Sequence, residues 1–227
     1  MFMASHSETF SKELENMVKI GENRCPNIVQ FLGTCRLQGG KQGLVMELFE
    51  KNLLEYVNPP LTWHEGRLIL RQIANGLRHL KNLNIVHRDV KPENILVKTD
   101  ENGMIKVALT DLGVSKHMTK TQRSNQTNIG TDLWMAPEIK GDKPTYGHPA
   151  DVFGFGLTAV YILTGQYPLG RDVKPDELDK WIGDCYEYAT QAHPVVMFMT
   201  LIYDCLEYDP TKRISKSALI DHEVSSE

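Results

Sequence analysis

A capped helix, a polar loop and a β-hairpin follow one another in the middle of this 227-residue chain. Thr62 and Glu65 have the spacing of a capping box, and apolar residues recur at helical intervals over 69–80. Two apolar runs, Ile95–Val97 and Ile105–Thr110, flank the turn sequence DENG, which predicts a strand pair. The polar loop is therefore held at both of its ends by regular structure.

Strands are predicted early in the chain, and helices dominate its second half. A charged helix is predicted over Glu8–Ile20, and two short strands over Cys25–Leu37 and Gln42–Phe49, separated by a turn at Gly39–Gly40. From Ala150 onward the patterns are helical. Because helices and strands are segregated rather than alternating, the predicted fold class is α+β.

Composition and charge restrict the kinds of binding partner and the cellular location that are expected for this chain. With a net charge of -4 and no long basic block, nucleic acid and acidic membrane surfaces are not expected partners. The longest uncharged apolar run, Val152–Gly165, is too short to span a bilayer and is predicted to form a buried core helix. The N-terminal residues lack a secretion-signal pattern. The cysteines show no metal-type spacing, which predicts reduced thiols in a cytoplasmic protein, with a nuclear location left open: Cys25, Cys35, Cys185 and Cys205.

The polar loop and the end of the hairpin concentrate charged and amide groups. Asp89, Lys91 and Asn94 lie within six residues, and Asp111 follows the second strand. Mg²⁺ is typically bound by one or two carboxylates together with substrate phosphates. An ammonium group can neutralise the charge of a transferred phosphate, and a remaining carboxylate can orient a hydroxyl nucleophile. This set of groups predicts a magnesium-dependent phosphate reaction.

Three motifs in the right order make the sequence similar to a eukaryotic protein kinase of the serine/threonine type. HRDVKPEN, His87–Asn94, matches the catalytic loop, DLG from Asp111 stands where DFG is usual, and APE is Ala136–Glu138. Lys91 and the sequence GTDLWMAPE resemble the serine/threonine group. The resemblance covers the chain from Phe10 onward.

The resemblance implies a role for each polar residue and two cofactors, ATP and Mg²⁺. Asp89 would accept the proton of the substrate hydroxyl, and Lys91 would contact the γ-phosphate. Asn94 and Asp111 would hold Mg²⁺. Leu112 replaces the usual phenylalanine after the metal-binding aspartate, which leaves the aspartate in place and changes a packing residue.

Two further matches of the resemblance support the loop from a distance. Asp151, in ADVFGFG, matches the aspartate that braces the catalytic loop. Arg213, in DPTKR, matches the partner of the glutamate of APE, here Glu138. Removing one member of such a buried ion pair leaves the other charge unpaired, which costs much stability.

The resemblance also implies where a nucleotide would bind. Met46 would be the gatekeeper, Glu47 and Phe49 would offer backbone groups to the adenine, and Leu96 would lie beneath the ring. An ordinary buried strand and a core leucine explain the same residues equally well.

Asp111 to Glu138 is similar to an activation segment. Thr127 lies four residues before Thr131, where the family's activating phosphate commonly sits. A phosphate on Thr127, added by an upstream kinase, could pair with Arg88 through charge-assisted hydrogen bonds. Thr131 resembles the threonine that touches both the catalytic loop and the substrate. A solvated loop is the alternative for this Ser/Thr-rich stretch.

The first helix resembles the one whose glutamate pairs with the nucleotide-binding lysine. Glu13 is the preferred match, because Met17 and Ile20 then fall at the usual apolar offsets. Glu15 is the second choice, and a solvated helix face is the alternative for both.

The glycine-rich loop and lysine strand that the family carries before this helix have no match in the sequence. A shortened sequence, a natural truncated isoform and a partner chain that completes the sheet are the three explanations, and truncation is favoured. The strand Gln42–Phe49 would then keep an open edge that invites a partner strand.

These observations predict a partial N-lobe with hinge over residues 1–49 and a helical C-lobe over 50–227. The expected function is a serine/threonine protein kinase, or a truncated form of one, which transfers the γ-phosphate of ATP to a protein. A catalytically impaired docking or scaffold module is the main alternative, and a small-molecule phosphotransferase is the third.

Overall fold

A computed structural model describes residues 14–40, 42–57, 61–112, 133–140, 145–169, 173–192 and 196–221. Helix α1 covers residues 14–22. The other α-helices and the strands of the first half are β1 Phe31–Arg36, β2 Gln42–Met46, β3 Lys51–Asn52, α2 Leu53–Tyr56, α3 Trp63–Asn82, β4 Ile95–Thr99 and β5 Ile105–Leu109. The second half contains α4 Pro137–Lys140, α5 His148–Thr164, α6 Pro175–Ala192, α7 Val196–Leu206 and α8 Ala218–Asp221. None of the helices in these ranges has the length and apolar character needed to cross a membrane.

Helix α3 confirms the predicted cap and periodicity. The Thr62 hydroxyl accepts a hydrogen bond from the Glu65 backbone N–H at 3.3 Å, and the Glu65 carboxylate accepts one from the Thr62 N–H at 3.1 Å. Ile69, Ile73 and Leu77 are buried on one face. This face packs against β5 and α5, so α3 carries the polar loop on a firmly held support.

Two antiparallel sheets confirm the α+β class. β1 pairs with β2 alone among the described strands, whereas β3, β4 and β5 form a three-stranded sheet in that order. The hairpin β4–β5 was predicted, and Ile95 lies opposite Leu109 in its register. The two-residue strand β3 was not predicted, because its pairing with β4 leaves no periodic signal in the sequence.

The predicted strand over Cys25–Leu37 is wrong for its first six residues. Residues 26 and 27 form a turn, and Ile28 makes only an isolated parallel bridge to Leu109. The Asn27 side chain donates to the Val107 carbonyl at 3.0 Å and to the Gln72 side chain at 3.1 Å. These tertiary hydrogen bonds fix the turn and attach the segment before β1 to the hairpin.

Helix α5 is the centre of the helical lobe. Every residue from Ala150 to Thr164 is buried, and the helix ends at Gly165, whose φ of 70° is left-handed. α5 packs against α3, α6 and α7. The prediction that the long apolar run forms a core helix is confirmed.

Gly154 lets α5 approach the polar loop closely. A Cβ atom at this position would lie 2.6 Å from the Val90 carbonyl oxygen and 3.0 Å from the Val90 Cβ. Because one contact is with backbone, Gly154→Ala must displace the loop or the helix. We expect the free energy of unfolding, measured by urea denaturation, to fall by about 1–3 kcal/mol.

Gly183→Ala is the matched control for this substitution. Gly183 also lies inside a long helix, α6, but the nearest atom to an added Cβ is the Tyr203 hydroxyl at 3.9 Å. Alanine should therefore stabilise this position by up to about 1 kcal/mol through helix propensity. Equal stabilisation of both variants would show that the Gly154 contact imposes no cost.

Candidate active site

The loop that joins α3 to β4 is braced by one buried carboxylate. Asp151 of α5 accepts a hydrogen bond from the His87 N–H at 2.8 Å and another from the Arg88 N–H at 2.7 Å, one at each carboxylate oxygen. Arg88 has a φ of 73°, in the left-handed region that costs a non-glycine residue roughly 1–3 kcal/mol. The carboxylate therefore holds the loop in a conformation that the chain alone disfavours.

Asp89, Lys91 and Asn94 form one hydrogen-bonded cluster in this loop. The Lys91 Nζ lies 3.0 Å from the Asp89 Oδ2, and the Asn94 Nδ2 donates to the same oxygen at 2.9 Å. Asn94 Nδ2 also donates to the Asp89 carbonyl oxygen at 2.8 Å. The amide nitrogen of Asn94 is thus occupied, and its Oδ1 is the atom that could ligate a metal.

Asp111 lies at the same end of the hairpin as Asn94. The Thr110 N–H donates to the Asn94 carbonyl at 3.0 Å, and Asp111 itself has a left-handed φ of 52°. Asp111 is exposed, whereas Leu112 is buried. The predicted magnesium ligands are therefore next to each other in the fold.

These oxygens suit a magnesium ion that also binds phosphate. Among the described residues, no group of three or more His, Cys, Asp or Glu side chains could hold a metal. Mg²⁺ does not need such a group, because it usually takes one or two protein ligands and completes its shell with water and phosphate oxygens. Asn94 Oδ1 and the Asp111 carboxylate fit this pattern.

His87 is buried within the same loop, and its neutral form is favoured. Burial lowers the pKa of His87, although the nearby carboxylates of Asp151 and Asp89 oppose this shift. The His87 Nδ1 accepts a hydrogen bond from the Asp89 N–H at 3.4 Å, which requires that nitrogen to be unprotonated. The imidazole therefore helps to orient the Asp89 backbone.

Arg213 and Glu138 join α4 to the turn before α8. The guanidinium binds both Glu138 carboxylate oxygens, at 2.7 and 3.1 Å. Its remaining three N–H groups donate to the backbone carbonyls of Glu207, Pro149 and Tyr208 at 2.8, 2.9 and 3.2 Å. All five donors are satisfied, so the buried charge is fully paired.

The predicted nucleotide-binding residues lie at the end of β2 and on β4. The Glu47 N–H donates to the Gln30 carbonyl at 2.9 Å, so its own carbonyl oxygen is the backbone group that could reach a base. Met46 and Leu96 are partly buried and pack against the core. Contact of these residues and of Phe49 with adenine stays a prediction.

The Glu47 side chain is held by two lysines. Its Oε1 accepts hydrogen bonds from Lys98 and Lys106, each at 2.8 Å. Burial opposes ionisation of this carboxyl, but the hydrogen bonds from Lys106 and Lys98 lower its pKa overall. Both ammonium groups also lie over the Phe49 ring, at 5.0 and 5.6 Å from its centroid. This ionic cluster holds in place the segment around Glu47 and Phe49, which matches the hinge of the kinase family.

A cavity of about 260 Å³ lies beside this segment, between α1 and β1. Its lining includes Glu47 and Lys106, but neither Met46, Phe49 nor Leu96. The cavity therefore shares only Glu47 with the four residues at which the resemblance puts the nucleotide.

Three predicted site residues, Glu13, Thr127 and Thr131, lie outside the described residues. The second choice for the first helix, Glu15, is exposed on α1, as a solvated helix face would be. The Arg88 guanidinium, predicted to meet a phosphate, lies 5.6 Å from the centroid of the Tyr146 ring.

Two residues of the site, Lys216 and Asn27, were not predicted from the sequence. The Lys216 ammonium pairs with the Asp151 carboxylate in a fully buried position. A lysine among serines next to a short helix gives no sequence signal of burial. Asn27 follows a proline in a turn, and the turn itself was the signal that could have been recognised.

The fold and the site together define a protein kinase: a small antiparallel lobe, a helical lobe, and a braced Asp–Lys–Asn loop beside a second aspartate. A family model described as protein kinase domain matches residues 3–225. The chain therefore belongs to the protein kinase family, and the proteins it is similar to include serine/threonine-protein kinases.

Two curated relatives and one solved structure show the extent of the similarity. The chain is 30% identical to the light-sensor protein kinase of Ceratodon purpureus, over 94% of this chain and 18% of that protein. It is 32% identical to serine/threonine-protein kinase MST20 of Pyricularia oryzae, over 87% of this chain and 21% of that protein. The crystal structure of Rad53 1-466 in complex with AMP-PNP is 24% identical with a TM-score of 0.68, covering 93% of this chain and 54% of that chain, and shows the fold.

Proposed function

We propose that this chain transfers the γ-phosphate of ATP to serine or threonine hydroxyls of a protein substrate, with Mg²⁺ bound in the site. The observation that carries the proposal is the cluster in which Lys91 and Asn94 both contact the Asp89 carboxylate within 3.0 Å. The adjacent Asp111 supplies a second carboxylate at the end of the hairpin. A hydroxyl acceptor, a phosphate and a metal need these groups within a few ångströms of one another.

Each residue then has a defined part in the transfer. Asp89 orients the acceptor hydroxyl and takes its proton as the oxygen bonds to the γ-phosphorus. The bond from that phosphorus to the bridging oxygen breaks, and ADP leaves. Lys91 places an ammonium where negative charge develops. Asn94 and Asp111 would hold Mg²⁺, which would supply positive charge to the phosphate oxygens.

Nucleotide binding is proposed at the segment between the two lobes, with Glu47 and Phe49 at its centre. Met46 and Leu96 would bound the adenine, and the Glu47 carbonyl would accept its amino group. Binding of AMP-PNP by Rad53, which has the same fold, supports a nucleotide in this fold. We propose 1–49 as a partial N-lobe with hinge and 50–227 as the C-lobe.

Regulation and location are proposed on the same basis. An upstream kinase would phosphorylate Thr127, and the phosphate would pair with Arg88, while Thr131 would contact the substrate. A cytoplasmic location is consistent with four cysteines that are all free thiols.

A docking or scaffold module with impaired catalysis is the second candidate, and the small sheet favours it. Strand β2 pairs only with β1 in the described part of the chain, and an edge of this kind accepts a partner strand. Leu32 on β1 and Leu48 after β2 are 60% and 87% exposed. A partner strand would pair with the open backbone edge and cover apolar surface.

Thermal unfolding with and without Mg·ATP separates the two candidates. A ligand that binds only the folded state stabilises it by about 2.7 kcal/mol at 100 times its Kd. For a chain of this length that corresponds to a rise in Tm of roughly 5–11 °C. We expect a rise with Mg·ATP and a smaller one with ATP in excess chelator.

Asp111→Asn is the matched variant for this titration, because Asp111 is exposed and its loss should leave the fold intact. Asp111→Asn should abolish the part of the rise in Tm that depends on Mg²⁺. If millimolar Mg·ATP leaves the Tm of the unmodified chain unchanged, the docking candidate replaces the kinase.

A further inference from the structure

The third partner of the Asp151 carboxylate, after the His87 and Arg88 N–H groups, lies outside the loop that Asp151 braces. Lys216 stands in the turn that precedes α8, and both its side chain and that of Asp151 are fully buried. Its Nζ binds the Asp151 Oδ2, the same oxygen that accepts the His87 N–H at 2.8 Å. Burying either of these charges without its partner would cost much stability, so the pair is stable only when both members are present.

The turn that carries Lys216 is itself firmly held. Lys81 of α3 donates to the Ser217 hydroxyl at 2.8 Å, and the Leu219 N–H donates to the Ser215 carbonyl at 3.2 Å. Leu219 is completely buried. The Lys216 ammonium therefore contacts Asp151 from a fixed position in the C-terminal part of the helical lobe.

The charge balance around Asp151 points to a role for this lysine in the loop. Its carboxylate receives two backbone N–H groups, from His87 and Arg88, which carry only partial charges. Lys216 supplies the full positive charge beside this carboxylate and holds it in one orientation. The left-handed Arg88, one residue before Asp89, depends on that orientation.

We propose that Lys216 is a positioning residue for the loop that joins α3 to β4, and that it acts through Asp151. It fixes the carboxylate that accepts the His87 and Arg88 N–H groups and thereby sets the backbone that presents Asp89. The catalytic part of this inference rests on the proposed function, whereas the structural part does not. Nothing in the kinase motifs of the sequence assigns a role to Lys216.

The test uses Lys216→Met, which keeps most of the side-chain volume and removes the charge, with Lys216→Arg as the conservative variant. Lys212→Met, at an exposed position four residues earlier in the chain, is the control. Hydrogen exchange of the His87 and Arg88 amides is measured relative to amides in the middle of α3. This readout does not need an active enzyme.

We expect Lys216→Met to accelerate exchange of the His87 and Arg88 amides at least about tenfold relative to α3, with Lys216→Arg restoring most of the protection. Lys212→Met should leave the exchange of both the His87 and the Arg88 amides unchanged relative to α3. In protein that phosphorylates itself, kcat should fall about tenfold while the KM for ATP changes by less than about twofold. Unchanged relative exchange, or an equal acceleration throughout α3, overturns the proposal.

A double variant keeps the test decisive if Lys216→Met alone does not fold. Asp151→Asn together with Lys216→Met removes both buried charges, so it should fold better than either single variant. In the Asp151→Asn background, Lys216→Met should add less than about twofold to the exchange of the His87 amide. A full tenfold increment there means that Lys216 acts independently of Asp151 and overturns the proposal. Loss of kinase activity in every form, with the exchange pattern intact, refutes the proposed function alone.

Discussion

Asp89→Asn is expected to slow ATP-dependent phosphate transfer by roughly 10²–10⁴-fold, the usual contribution of a positioned acid–base group. Asparagine keeps the shape of the side chain and an oxygen that can accept from Lys91 and Asn94. It cannot take up the proton of the acceptor hydroxyl. Incorporation of labelled phosphate into the chain itself, or into an added protein substrate, measures the rate.

Nucleotide binding should survive this substitution. The proposed contacts of ATP and Mg²⁺ are with other residues, so the rise in Tm with Mg·ATP should stay within about 1 °C of the unmodified chain. Asp100→Asn is the matched control, because Asp100 accepts N–H groups from Asn102 and Met104 in the hairpin turn, as asparagine also can. Loss of the base should slow the reaction at least roughly 10²-fold. Asp89 is therefore not the base if Asp89→Asn keeps more than about one-tenth of the rate of Asp100→Asn.

Arg213→Met should lower the free energy of unfolding by about 3–5 kcal/mol, as expected when one partner of a buried ion pair is removed. Methionine fills much of the volume but leaves the Glu138 carboxylate unpaired and three backbone carbonyls without their donor. For a chain of this size, the loss corresponds to a fall in Tm of roughly 6–20 °C. Thermal and urea unfolding both measure it.

Lys212→Met provides the comparison, since Lys212 is the exposed neighbour of Arg213 and its change should stay within about 0.5 kcal/mol. The double variant Glu138→Leu with Arg213→Met should lose less stability than Arg213→Met alone, because no charge remains unpaired. A similar loss in Arg213→Met and Lys212→Met contradicts the assignment of a buried ion pair.

Local signals made much of the fold predictable. The cap at Thr62 and the apolar spacing of α3 depend on residues three or four apart, and the hairpin depends on a short turn. The uniformly apolar run of α5 indicated burial without any knowledge of its neighbours. Such features can be read from one sequence because the interacting residues are close along the chain.

The candidate site was predictable only in part. Asp89, Lys91 and Asn94 are near one another in sequence, so their cluster follows from spacing. Asp151 and Arg213 were found through resemblance to a family, since their partners lie 63 and 75 residues away. Lys216 carries no motif, and only the folded chain brings it to Asp151. Its burial results from tertiary packing, which composition and periodicity do not encode.

The two lobes are also joined by main-chain atoms. The Val29 N–H donates to the Leu109 carbonyl at 2.9 Å, and the Leu109 N–H donates to the Asn27 carbonyl at 3.0 Å. Hydrogen bonds between backbone atoms do not depend on which side chains the residues carry. Proline is the exception, because it lacks the backbone N–H donor. Substitutions of the side chains at Val29 and Leu109 can therefore leave this connection between the lobes in place, because backbone atoms alone form it.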